Sequence, residues 1–185
     1  MIRLKSLLKE SNTPLSKHPE SINTGIQLAK SLISVGFTKI EAAAIVGNMW
    51  AESTFDPTEG TLDGSGAFGL IQWRSDRKIA LKQYVKLLGK SEADTQTQIW
   101  FLKVELKNGY TSKQSGGKLI PGLPKGIVNT PNYEKNMFNA AMLYGPTIQE
   151  KALGFAKLSE RMGKQELELS KKSRMESAQT IFDKL

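Results

Sequence analysis

The segment from Thr38 to Pro57 limits what this chain can fold into more than any other. Thr38-Lys39-Ile40-Glu41 has the form of a capping box, and Phe37 stands where a hydrophobic staple begins, so a helix starts there. The run that follows, Ala42-Ala43-Ala44-Ile45-Val46-Gly47-Asn48-Met49-Trp50, is apolar on nearly every side. A helix without a polar face has to be enclosed by others, which predicts a mainly helical body built around it. Proline disfavours helical backbone in the preceding residue, so Asp56-Pro57 stops the helix and puts Glu52 in its last turn or just past it.

Helical periodicity recurs on both sides. Ser21 to Gly36 carries Ile22, Ile26, Ala29, Leu32, Ile33 and Val35 near a 3.6-residue period, and Gly36 suits a left-handed stop. Further helices are predicted from Ser75 to Gly89, from Ser91 to Asn108, and over about 133–143, 148–158 and 165–184. Between the central helix and Ser75 the pattern changes to Gly60, Gly64, Gly66 and Gly69, with an Asp63-Gly64 turn signal, and predicts a small lobe, a β-hairpin or an irregular one. Residues 110–131 are rich in Gly, Pro, Lys and Ser and read as a long functional or mobile loop. With 185 residues and 39% apolar content, one core is expected: a tail over 1–20 and one domain over 21–185. Leu4, Leu7 and Leu8 could make the tail a short amphipathic docking segment; a frayed terminus is the plainer reading.

Composition removes most hydrolytic chemistries. Cysteine is absent and His18, in a polar flank, is the one histidine. A thiol nucleophile, a disulfide framework, a zinc site built on several His or Cys, and a His-based triad therefore cannot be assembled. No metal or organic cofactor is expected, and carboxylates are what remains. The net charge of +8 fits an anionic partner, but no nucleic-acid motif or dense basic run accompanies it, so nucleic acid is not expected. No segment approaches the roughly 18 apolar residues of a membrane span, and the first ten residues lack the apolar stretch of a secretion signal.

Glu52 is the carboxylic acid in the most suggestive place. Glycosidic bonds break through an oxocarbenium-like state that needs a protonated acid beside the leaving oxygen. Apolar burial keeps such a proton in place, and Met49, Trp50 and Phe55 flank Glu52 in sequence, at a helix end whose partial negative charge acts in the same direction. Downstream, Gln72 can donate to and accept from sugar hydroxyls, and Trp73 offers a flat apolar surface. The structural alternatives are equally concrete: Gln72 satisfying backbone groups in the hairpin, and Trp73 serving as core.

Glu52-Ser53, Phe55-Asp56-Pro57, the block Gly66-Ala67-Phe68-Gly69-Leu70-Ile71-Gln72-Trp73, Arg77 and Leu81 together resemble the phage tail lysozyme domain. That family belongs to the lysozyme-like superfamily, with goose-type lysozymes and lytic transglycosylases. Weaker similarity continues through Gln98, Phe101-Leu102, Glu105-Leu106, Tyr144-Gly145-Pro146, Arg174 and Ala178. The resemblance implies a lysozyme-like fold, Glu52 as catalytic acid, and a substrate site involving Gln72, Phe68, Trp73 and Ser53. It also implies peptidoglycan as substrate, cleaved at the β-1,4 bond between N-acetylmuramic acid and N-acetylglucosamine, and a place in a phage tail or baseplate. Related members often carry an acidic residue after the Tyr of the aromatic-Pro element, where Gly145 stands here.

A second carboxylate is less legible. Asp63 ranks first and Asp76 second, while Asp56 before Pro57 reads as a turn residue. A transglycosylase needs no such partner, because the sugar's own hydroxyl can attack. A catalytically silent glycan-binding tail protein is the reading from another class.

Overall fold

The computed structural model describes residues 13–60, 66–108, 133–160 and 163–185. Seven α-helices make up the body over these residues: α1 (Pro19–Ser34), α2 (Lys39–Ser53), α3 (Ser75–Leu88), α4 (Thr95–Lys103), α5 (Tyr133–Met142), α6 (Ile148–Gly154) and α7 (Lys164–Lys184). Two of them run on into π-helical turns, α4 into Val104–Asn108 and α6 into Phe155–Ser159. No described helix is long and apolar enough to cross a membrane.

α2 begins as its sequence predicts. Thr38 Oγ1 accepts from the Glu41 N–H at 3.3 Å, and the Thr38 N–H donates to Glu41 Oε2 at 2.7 Å. The other Glu41 oxygen takes an ion pair from Lys107, whose ammonium also lies over the Phe37 and Phe138 rings. From Ala42 to Ala51 every residue is buried, enclosed by α1, α6 and α7. The helix ends at Ser53, before the proline, because Thr54 and Phe55 take left-handed backbone at φ 49° and 70°. Asp56 then accepts from the Thr58 N–H and hydroxyl, both at 2.7 Å, as a turn residue does.

α7 packs on α2 so closely that one position has no room for a side chain. A Cβ on Gly47 would stand 2.7 Å from the Ala178 nitrogen and 2.8 Å from the Arg174 carbonyl oxygen, both backbone atoms of α7. The face that α7 turns inward is Ser170, Ser173, Arg174, Ser177, Ala178 and Ile181, mostly small residues at helical spacing with a single arginine among them. Thr13 and Leu15, placed with the tail by sequence, lie against this pair: Trp50 Nε1 donates to the Thr13 carbonyl at 2.7 Å, Ser173 Oγ does so at 3.1 Å, and Leu15 is fully buried. Residues 1–12, including Leu4, Leu7 and Leu8, and the loop 110–131 lie outside the described residues.

The expected β-hairpin lobe is not seen among the described residues, and its Asp63-Gly64 turn lies outside them. Among the described residues there is no strand; Phe68 and Trp73 form one isolated antiparallel bridge, with N–H to O distances of 3.0 and 2.9 Å. The turn between them uses left-handed backbone at Gly69 (φ 76°) and Gln72 (φ 51°), which tightens it too soon for a ladder to extend. Gln98 holds it from α4: its Oε1 accepts from the Leu70 N–H at 3.0 Å and its amide nitrogen donates to the Pro57 and Glu92 carbonyls. Gly69 is required beside it, since a Cβ there would lie 2.7 Å from Gln98 Oε1.

Alanine in place of an exposed helix-interior glycine normally stabilises by about 1 kcal/mol. Gly47→Ala is expected to do the opposite, costing about 1–3 kcal/mol in chemical denaturation because α7 must retreat.

Candidate active site

Glu52 lies in the last turn of α2, and its surroundings are ionic where the sequence predicted apolar burial. Its Oε1 is ion-paired with Arg174 Nη2, from the inward face of α7. The same guanidinium donates through Nη1 to Glu160 Oε2 at 2.9 Å and to Asn48 Oδ1 at 2.5 Å, and through Nε to Ser170 Oγ at 2.9 Å. Asn48 is held in turn, its amide nitrogen donating to the carbonyls of Ala44 at 2.8 Å and Ala152 at 3.0 Å, which fixes the arginine against α2 and α6 together. Exposure separates the members: Arg174 and Glu160 keep 2% and 5% of their side-chain surface, Glu52 keeps 14%. Glu52 is thus the carboxyl of this cluster that a solute can reach.

The electrostatics follow from that enclosure. Desolvation pushes the Glu160 carboxyl up to about 8; Arg174 opposes the shift, the Glu52 charge reinforces it, and Arg77 opposes it from further away. Desolvation pulls Arg174 down, but Glu160, Glu52 with its hydrogen bond, and Glu166 outweigh it and hold the guanidinium above its ordinary value. At neutral pH the cluster therefore keeps a proton at Glu160, its most enclosed carboxyl.

A second arginine supports the first. Arg77 of α3 grips Glu105 through two bonds of 2.7 Å and donates to the Ser159 carbonyl at 3.1 Å, while Glu134 of α5 lies 3.9 Å from its Nε. Glu105 sits in the first π-helical turn and Ser159 ends the second, so Arg77 joins the two widened turns. Ser159 is followed directly by Glu160, and through that residue the two arginine nodes are continuous.

A family model for phage tail lysozyme matches residues 23–185, which contain every residue of this cluster. The chain belongs to the phage tail lysozyme family. A comparison with curated proteins yields no match. In this phage tail lysozyme member, the residues picked out by sequence fall into different places. Ser53 Oγ lies 3.1 Å from the Met49 carbonyl and 3.0 Å from that of Leu70, tying the end of α2 to the turn. Gln72 donates to the Glu59 and Gly69 carbonyls at 3.2 and 3.1 Å, the structural alternative raised for it. Trp73 is wholly buried against Phe101, its indole N–H donating to Glu105 at 3.1 Å, and Phe68 is 1% exposed, so neither presents a free ring face for a sugar.

Asp63 lies outside the described residues; Asp76 is in the first turn of α3, its side chain undescribed. At Gly145 a Cβ would meet the Glu150 carboxyl at 2.5 Å: the Glu150 that caps α6 already occupies that space. Among the described residues no group of three or more His, Asp or Glu is arranged to hold a metal ion.

Glu160 and Asn48 were missed by sequence reasoning, and Arg174 was noted without a task. The available signal was Arg174 itself, a lone long cation within a row of small residues that otherwise marks a buried face.

Between about pH 4.5, where the unfolded chain releases the Glu160 proton, and about 8, the folded protein binds more protons than the unfolded one. Stability is therefore highest at the acid end of that window and falls as pH rises through it, by at most about 1.4 kcal/mol per unit. Thermal melts across the window should show this decline, and Glu160→Gln should flatten it. Arg174→Met, which strands two carboxyls, is expected to cost about 3–5 kcal/mol by denaturant titration.

Proposed function

We propose that this chain is a peptidoglycan-cleaving glycosidase of the lysozyme type, carried in a phage tail, with Glu52 as the general acid. It cuts the β-1,4 bond between N-acetylmuramic acid and N-acetylglucosamine. The observation that carries the reading is the position of Glu52: it is the accessible carboxyl of an otherwise closed cluster, at the end of the enclosed helix of a phage tail lysozyme family member. Arg174 fixes the direction of that carboxyl, so the proton is presented along one line rather than from a free rotor. Glu52 gives its proton to the leaving oxygen as the sugar develops oxocarbenium character.

For the assisting carboxylate, Asp63 and Asp76 are the candidates. One observation keeps a lytic transglycosylase as the second reading. The carboxyl that shares Arg174 with Glu52 is Glu160, and at 5% exposure it cannot activate a water on the far face of a sugar. A hydrolase working by inversion would need another carboxyl about 6.5–9.5 Å from the acid, and one working by retention about 5–5.5 Å, whereas internal attack by a sugar hydroxyl needs neither.

Incubation of purified peptidoglycan with the wild type and Glu52→Gln, followed by mass analysis, tests the reading. Fragment release is expected to fall by about 10²–10⁴-fold in the variant. Reducing muramic ends identify a hydrolase and 1,6-anhydro ends a transglycosylase; no release by the wild type would leave a glycan-binding tail protein instead.

A further inference from the structure

Glu160 is an enclosed acid to which the chemistry above gives no task. Its Oε2 receives Arg174 Nη1 at 2.9 Å, while its Oε1 is buried with no hydrogen-bond partner among the described residues. Pairing with a buried guanidinium accounts for Oε2 but not for Oε1, an orphaned buried oxygen that costs stability. What the position does provide is a hold on the other end of the guanidinium that pairs with Glu52.

We propose that Glu160 is a positioning residue for Glu52: by sharing Arg174 it sets how much of that charge Glu52 meets, and so which of the two carboxyls carries the site's proton. This rests on Glu52 being the acid of a glycan-cleaving enzyme. With one proton, the cluster has two arrangements of equal net charge. In the first, Glu160 is neutral and the undivided charge of Arg174 faces an ionised Glu52. In the second, Glu160 is ionised, Arg174 is balanced by it, and Glu52 holds the proton as an acid.

Passage between them gives one proton from Glu160 to solvent and takes one from solvent onto Glu52, so the number of protons in the cluster is unchanged. A bound glycan biases the exchange. It strips the remaining water from Glu52, whereas Glu160 has almost none to lose, so only the charge on Glu52 becomes more costly. After Glu52 donates its proton to the leaving oxygen both carboxyls are ionised, and the cluster bears one net negative charge beside the cationic sugar. Other charged groups acting on the cluster are Arg77 from α3 and Glu166 from α7, with Glu105 and Glu134 set against Arg77.

The test uses Glu160→Gln and Glu160→Asp in the full chain, assayed on purified peptidoglycan across pH. Glutamine copies the shape of the protonated acid and so keeps the neutral-pH fold, but it cannot release a proton. Expected are a kcat lower by about 10-fold or more with KM unchanged, and a pH–rate profile displaced toward acid by about one unit. Glu160→Asp, which restores a titrating carboxyl, recovers part of both. Carbon-13 NMR titration of the glutamate carboxyls gives a readout independent of turnover. The elevated step of the wild type vanishes in Glu160→Gln and moves to lower pH in Glu52→Gln, since the Glu52 charge is one of its causes.

An unchanged kcat and profile in Glu160→Gln, or a Glu160 titration indifferent to Glu52→Gln, overturns the proposal. If the wild type releases no fragments, the enzyme reading fails by itself; coupled titrations then uphold the charge linkage, and uncoupled ones overturn it.

Discussion

Everything near Glu52 depends on burying one guanidinium between α2 and α7. A charge taken out of water in this way is tolerated only when nearly all of its donors are met, and Arg174 has Asn48, Glu52, Glu160 and Ser170 arranged around it for that purpose. The arrangement is possible because Gly47 lets the backbones of the two helices approach, which brings the backbone of Arg174 against the central helix. Capping of α2 at Thr38, the small-residue face of α7 and the anchoring of Asn48 by Ala44 and Ala152 all serve the same packing.

The wall behind this centre is organised by the second arginine. Arg77 draws Glu105 and the end of the α6 extension toward α3, and Trp73 fastens the Phe68–Trp73 turn to the same Glu105. Two helices widen to π geometry at these points, and such turns recur where a helix places a functional group off its regular line. The positions of Glu160 and of the turn after α2 are consequently set by one connected polar network.

The helical body was legible because its signals are local. A capping box, a glycine stop and a 3.6-residue period each act within a few residues, and α1, α2 and the last three helices begin and end close to where those signals stand. The hairpin lobe was not: its Asp-Gly pair lies outside the described residues, and the glycine-rich turn after it closes at a single bridge through left-handed Gly69 and Gln72. Trp73 read equally well as platform or core until Glu105 appeared as the acceptor for its indole. Glu52 was found from its neighbours in sequence, yet its ionic partner is 122 residues away, and only the folded chain places Arg174 and Glu160 beside it.

The Thr13 carbonyl links the incoming chain to both halves of the ion pair. It accepts from Trp50, two residues before Glu52, and from Ser173, immediately before Arg174. In mechanical terms this single oxygen couples the backbone at Thr13 to α2 and α7 at once, at the level of Glu52 and Arg174.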